Sequence, residues 1–317
     1  MSFSGDVKHE LAYQQQSGAR HCQLSEIAAI ITMCGGVSIS TTDRMRLKVR
    51  TENIYVAHKF CMLLRKAFQI CAHVRVSRRM KQADTAMYTV WIMDHEETLT
   101  VLKAVSLLQG TYEIEEQLQL ENNKLLKRAC CRRAFLRGAF LASGTISDPH
   151  KFYQLEIVCN EEGKAAQLME LMQTFELDAG SSVRKGKYVV YLKEGAQVMD
   201  MLNVMEAHRC LMEFENVRIL RGISNEVNRR VNCDAANIKK TVTAAMRQIE
   251  DIRYIQANME LDKLSPVLRE TALLRLEYPE TPLQELGAML DPPVGKSGIN
   301  HRLAKLSEIA RRLRGEE

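Results

Sequence analysis

The sequence predicts an α+β body made of two copies of one αββαββα unit, packed about a pseudo-twofold axis and followed by an all-α end. Three observations carry this. Helical and strand-like patterns occur twice in the same order within residues 1–205. Sliding the chain so that Ile27 falls on Leu136 also aligns Ile31 with Phe140, Gly35 with Gly144, Val37 with Ile146 and Ser38 with Ser147. Five of the six prolines lie at or beyond Pro266, so the last segment reads as short helices joined by tight turns, whereas only Pro149 interrupts what precedes.

In the first copy, Ile27, Ile30, Ile31 and Cys34 recur at i, i+3, i+4 and i+7 and stop at Gly35-Gly36, a helix with its stop signal. Strand-like runs follow at 37–40 and 45–51, then a helix at 53–69, strands at 73–79 and 87–92, and a helix at 98–108. The second copy reads as a helix ending at Ser143, a strand at 153–159, a helix at 161–175, strands around Val183 and at 188–192, and a helix to Met205. From 209 to 254 the pattern is helical throughout. Val217, Leu220, Val227 and Val231, then Ile238, Val242, Ala245, Ile249 and Ile252, mark one face, with Arg218, Arg221, Arg229 and Arg230 on others. That segment is either a packing spacer with solvated arginines or a basic contact surface. The expected organisation is a helical lead at 1–20, repeats at 21–110 and 111–205, a helical linker at 206–260 and a terminal helical domain at 261–317.

Composition sets the class. A chain of 317 residues, 46% hydrophobic, can fill more than one core, because single cores stop growing near roughly 250 residues. No apolar run reaches the roughly 18 residues of a membrane span, and the first 20 residues show no apolar signal core. A soluble cytoplasmic chain without membrane contact is expected. The nine cysteines are odd in number and scattered, with Cys130 and Cys131 adjacent, a layout suited to free thiols. There is no C-x-x-C pair, and His21-Cys22 has no second pair at zinc-site spacing along the chain, so no metal site and no cofactor are expected.

The net charge of +5 says little, but its distribution is uneven. Between Arg20 and Val90 there are 12 Lys or Arg against 4 acids, and between Pro292 and Arg314 there are 6 against 1. The first excess fits an ordinary solvated face as well as a polyanion surface. The second falls on a recognisable pattern. Thr281-Pro282-Leu283-Gln284 offers an N-cap, a first-turn proline and a capping-box glutamine, predicting a helix from 282 to 290. After a turn at 291–295, Ser297 is the candidate N-cap of a second helix through Arg312, with Ile299, Leu303, Leu306, Ile309, Ala310 and Leu313 inward.

Short helix, turn and basic helix over 281–314 fit a helix-turn-helix. Its outward residues Asn300, Arg302 and Lys305, with Lys296, Ser297 and His301 near the helix start, are the candidate contacts to double-stranded DNA. Arginine suits guanine, asparagine suits adenine, and lysine or a helix N-terminus suits phosphate. A small helical hairpin that binds protein is the alternative.

Leu136-Arg137-Gly138-Ala139-Phe140-Leu141-Ala142-Ser143-Gly144 resembles the LAGLIDADG motif of homing endonucleases, and residues 27–35 (IAAIITMCG) resemble its first copy. The resemblance implies two motif helices packed through small residues, here Ala29, Gly138 and Ala142, with an acid at each C-terminal end to hold divalent metal. Cys34 and Ser143 stand where those acids belong. A thiol and a hydroxyl are poor ligands for hard cations, so nuclease activity is not expected. Asp148, followed by Pro149, reads as a turn residue and not as a relocated ligand.

The degenerate motif pair, together with Arg-Arg-Val-Asn-Cys-Asp-Ala-Ala-Asn-Ile-Lys-Lys (229–240), Ser297-Gly298-Ile299-Asn300-His301-Arg302 and the opening Ser2-Phe3-Ser4-Gly5-Asp6-Val7-Lys8, resembles the WhiA family over nearly the whole chain. That resemblance implies a non-catalytic, nucleoid-associated transcription regulator tied to cell division, chromosome segregation and, in spore formers, sporulation. A protein co-regulator is a further candidate partner. Two alternatives stand beside this reading: an active metal-dependent endonuclease, and a docking scaffold for the division machinery.

Overall fold

The computed structural model describes residues 2–13, 19–39, 44–78, 86–109, 113–114 and 124–315. The chain divides into two compact units, Met1–Arg221 and Gly222–Glu317. In the first unit, α1 (Phe3–Tyr13) precedes the first repeat, which runs α2 (Arg20–Cys34), β1 (Gly35–Ile39), β2 (Met45–Thr51), α3 (Ile54–Phe68), β3 (His73–Arg78), β4 (Ala86–Ile92) and α4 (His95–Ala104). A short strand pair, β5 (Leu108–Gln109) and β6 (Glu113–Ile114), leads to the second repeat. That repeat runs α5 (Ala129–Ser143), β7 (Gly144–Ile146), β8 (Leu155–Cys159), α6 (Glu162–Gln173), β9 (Gly180–Arg184), β10 (Lys187–Leu192) and α7 (Gly195–Val204).

The two repeats have the same sheet topology, β1-β2-β4-β3 and β7-β8-β10-β9, antiparallel throughout. Strand β7 is absent from the expected second copy because three residues are too few to show alternation; the glycine shared with β1 was the available signal. The helix expected at 98–108 instead begins at His95, where the Asp94 carboxylate accepts from the Glu97 amide, and Leu108 belongs to β5. The expected strand ends at 40 and 79 lie outside the described residues.

Helices α2 and α5 form the centre of the unit. Residues 25–31 of α2 and 134–141 of α5 are buried without interruption, so neither helix has a solvent face. They approach closely at Gly138. A Cβ there would lie 2.7 Å from the Glu26 carbonyl oxygen and 2.9 Å from the Ala29 methyl carbon.

Charge is buried in the same interface. Glu26 faces Arg137 at 3.3 Å and Lys59 at 3.6 Å; Arg137 also meets Glu206 at 3.0 Å, and the Lys59 ammonium donates to the Leu11 carbonyl. Each partner compensates what would otherwise be an isolated buried charge.

The segment expected as several connecting helices is one helix, α8 (His208–Asn258). No proline or glycine-capped stop breaks it, and Gly222 alone does not end a helix. Val227, Val231, Ile238 and Val242, which share its apolar stripe, are exposed. The second unit adds α9 (Pro266–Glu277), α10 (Leu283–Ala288) and α11 (Lys296–Arg314) around a core that includes Ile252, Ile255, Leu286, Ile299, Leu303 and Leu306.

Replacing Gly138 with alanine forces a methyl group onto the backbone of α2. We expect Gly138→Ala to lower stability by about 1–3 kcal/mol, the usual cost of overpacking a tight core, measured by denaturant unfolding of the full chain.

Candidate nucleic-acid interface and the altered nuclease site

The second unit holds α11 against α9 and α10 by a tight turn. The Val294 amide donates to the Gly287 carbonyl at 2.9 Å, and a Cβ at Gly287 would fall 2.1 Å from the Val294 oxygen. Buried Arg275 of α9 donates to the Thr281 carbonyl at 2.7 Å and fixes the approach to α10. Burial lowers the pKa of that guanidinium from its usual value.

Two expected caps are corrected here. Helix α11 begins at Lys296 with Gly295 as its N-cap, so Ser297 lies inside the first turn and caps nothing; the turn anchored by Val294 starts the helix earlier. Likewise α10 begins at Leu283 after Pro282, and Thr281 supplies a carbonyl to Arg275 instead of a hydroxyl cap.

Of the candidate contacts, Lys296, Ser297, Asn300, His301 and Lys305 are exposed, whereas Arg302 is half-buried. Ile299, Leu303, Leu306 and Ala310 are buried as expected, but Ile309 is only partly covered and Leu313 is exposed near the helix end. Lys296 borders a cleft of about 370 Å³ with Lys240, Gln248, Arg275 and the start of α10. Lys240 escaped the sequence reading because it lies on α8, distant in sequence; the adjacent Lys239-Lys240 pair was its only signal.

In the first unit, the C-terminal ends of α2 and α5 bring Cys34 and Ser143 to one cavity of about 720 Å³, shared with Lys8, Arg50, Asn53 and Lys187. Among the described residues, Glu52 is the single carboxylate on its lining. Cys34 donates to the Ile30 carbonyl at 3.3 Å and Ser143 to the Ala139 carbonyl at 3.4 Å, each turning its proton back onto its own helix. Burial pushes the Cys34 thiol up to about 12. Burial also brings Lys8 down to about 8, with its ammonium 5.9 Å from the centre of the Phe140 ring.

Divalent cations of the kind LAGLIDADG nucleases use require hard oxygen ligands from both helices. A neutral thiol, a hydroxyl and a neighbouring ammonium do not fit them. Asp148 does not supply the missing ligand, since its carboxylate accepts from the His150 amide at 2.9 Å and closes its own turn.

The outer faces of the two sheets differ. On the first, Arg46, Lys48 and Arg50 alternate along β2 with buried Met45, Leu47 and Val49, and the register places Lys48 opposite Trp91 and Arg75 opposite Thr89. On the second, Arg184 is paired with Glu156 at 2.7 Å. The basic excess of the N-terminal stretch is thus gathered in part on one sheet face.

The structure also corrects the expectation that His21-Cys22 lacks a second ligand pair. The shift that relates the repeats places His21 on Cys130 and Cys22 on Cys131, and the four ligand atoms lie within 4.8 Å of one another at the N-terminal ends of α2 and α5. Spacing along the chain could not show this. The repeat offset, applied to cysteine and histidine, could have. Burial and the neighbouring thiols push Cys22 up to about 12.

Comparison with known proteins places these features together. Family models match for the WhiA N-terminal LAGLIDADG-like domain over residues 20–108, the WhiA LAGLIDADG-like domain over 132–224 and the WhiA C-terminal HTH domain over 227–310. The chain belongs to the WhiA family. A WhiA protein of Lachnoclostridium phytofermentans, named a probable cell division protein, is 46% identical over 99% of this chain and 100% of its own length. One from Desulforamulus reducens with the same name is 43% identical over 99% of this chain and 97% of its own. The crystal structure of full-length DUF199/WhiA from Thermatoga maritima superposes with a TM-score of 0.58 at 25% identity, covering 98% of this chain and 99% of that one. The body of this WhiA chain is therefore a LAGLIDADG-like pair and its end an HTH domain.

Lys8 gives a pH test of the altered site. Its folded-state value of about 8 lies below the ordinary 10.5, so between those values the unfolded chain binds the proton more tightly and stability from this group rises with pH. Lys8→Met should therefore be more stable than the wild type below pH 8, by on the order of 1–3 kcal/mol. The gap should narrow as pH rises through 8 toward 10.5, as followed by denaturant unfolding at each pH.

Proposed function

We propose that this WhiA chain is a sequence-reading, double-stranded-DNA-binding transcription regulator without nuclease activity. The observation that supports it most is the exposed polar surface on the first turns of α11: Lys296, Ser297, Asn300, His301 and Lys305 project from a helix whose opposite face is locked into the core by Ile299, Leu303 and Leu306. A rigid helix with an amide side chain and cations at its start suits the major groove. Asn300 is assigned to a base edge, Lys305 and Lys296 to phosphate, and His301 and Ser297 to the groove wall. Half-buried Arg302 reaches DNA from the side of the helix.

The basic outer face of the first sheet, with Arg46, Lys48, Arg50 and Arg75, adds salt-dependent affinity that carries no sequence information. The processes regulated are those the family resemblance implies, namely cell division, chromosome segregation and, in a spore former, sporulation; the relatives' name as probable cell division proteins supports the first. The protein acts at the nucleoid in the cytoplasm, and any protein co-regulator meets it there.

DNA fragments recovered by chromatin immunoprecipitation supply the preferred site. Asn300→Ala should weaken binding to that site by about 1–3 kcal/mol and relax preference at one base pair, as loss of one bidentate contact does. Lys305→Ala should weaken all sequences alike and reduce the slope of log affinity against log salt by about 1. Unchanged sequence preference in both variants and in Arg302→Ala would reject this assignment.

The chemistry of Cys34 and Ser143 predicts that incubation of the purified chain with genomic DNA and magnesium or manganese yields no site-specific cuts. Discrete fragments abolished by chelation would show the enzyme reading to be the right one.

A further inference from the structure

We propose that His21, Cys22, Cys130 and Cys131 form a binding site for a soft divalent cation of the zinc class, which clasps the N-terminal ends of the two central helices. The argument begins with geometry. His21 Nδ1 lies 3.1 Å from Cys131 Sγ, 3.3 Å from Cys22 Sγ and 4.0 Å from Cys130 Sγ. Tetrahedral zinc with bonds of about 2.3 Å to sulfur and 2.0–2.1 Å to nitrogen sets its ligand atoms about 3.5–3.8 Å apart. Shifts of a few tenths of an ångström bring the three thiols to suitable distances from His21 Nδ1, and with all four ligand atoms within 4.8 Å of one another no pair has to close by more than about 1 Å to seat the ion.

The donor set selects the metal. Three thiols and one imidazole are soft to borderline ligands that favour zinc over magnesium or calcium, and Cys3His is a recurrent structural zinc set. On binding, the three thiols release their protons to solvent, the imidazole stays neutral, and the loaded centre carries one net negative charge. That charge is placed well. The site occupies the first turns of α2 and α5, where the helix dipoles are positive and neither N-cap residue, Ala19 or Arg128, supplies a side-chain bond.

The site is also separate from the nuclease-derived cavity. Cys22 and Cys131 belong to a small cluster with Ala134 and Ala19, outside the main core. Cys34 and Ser143 end the same helices 12 residues further on, as the 34 − 22 and 143 − 131 differences both give, about 18 Å along each axis. Burial of Cys22 and Cys131 with half-exposure of His21 and exposure of Cys130 leaves one open side for the ion to arrive. The pairing of adjacent residues from each repeat, one pair per helix, turns the pseudo-twofold axis into a four-ligand site that neither repeat has alone.

Cobalt(II) is the probe, because tetrahedral cobalt thiolates absorb strongly in the visible and near ultraviolet. The purified, reduced full chain should take up one equivalent with that spectrum, zinc should displace it, and zinc should raise the thermal midpoint while a chelator lowers it. Exposed Cys130 can be changed without disturbing the core, so Cys130→Ser should keep the native circular dichroism yet weaken metal binding by more than about 100-fold, the upper end of what loss of an outer-shell partner costs. Cys71→Ser, an exposed cysteine outside the cluster, should bind as the wild type does. No tetrahedral cobalt spectrum in the reduced chain would overturn the proposal. So would a spectrum unchanged in Cys130→Ser, or a Cys22–Cys130 or Cys22–Cys131 disulfide in a chain that takes up no metal when reduced. None of these readouts depends on DNA binding.

Discussion

The contact between α2 and α5 at Gly138 is the constraint on which the body depends. Two helices buried on every side approach until a single methyl group would clash with the Glu26 carbonyl and the Ala29 side chain. Two side-chain groupings lie at the two ends of that pair: the cavity with Cys34 and Ser143 at one, the His21 and cysteine cluster at the other. The sheets follow, since β1 and β7 begin at the glycines that end the helices, each with its own preceding helix turn so close that no Cβ fits.

The interface is not symmetric in charge, and this is where the two repeats have diverged. Glu26 is buried against Arg137 and Lys59, but the repeat-related positions of Glu26 and Arg137 are Phe135 and Ala28. A buried ion pair of this kind adds little net stability against an apolar alternative, yet losing one partner strands the other. Lys8 extends the asymmetry, since it comes from α1 and lines the cavity beside Cys34 and Ser143. Where the LAGLIDADG motif places two equivalent carboxylates, this chain has a cation and two side chains bonded to their own helices.

The second unit achieves rigidity by other means. Its short α10 could not stand alone, and the turn between Gly287 and Val294, with Arg275 bonded to Thr281, holds α11 at a fixed angle. For the base contacts proposed above, preorganisation of that helix lowers the cost of binding, because side chains that need no reordering lose less entropy.

Much of this was legible in the residues. Helical periodicity, the repeat offset and the proline distribution gave the αββαββα order and the helical end. The exposed positions of α11 also followed from its apolar spacing, apart from Arg302, which is half-buried, and Leu313, which was expected inward and is exposed. What spacing could not give were the three-residue strand β7, the start of α11 at Lys296, the descent of Lys8 into the cavity and the meeting of His21-Cys22 with Cys130-Cys131. Local pattern records how one segment presents its faces, because side-chain direction repeats with the backbone. Contacts between segments more than a hundred residues apart are set by how buried faces pair, and only the packed helices decide them.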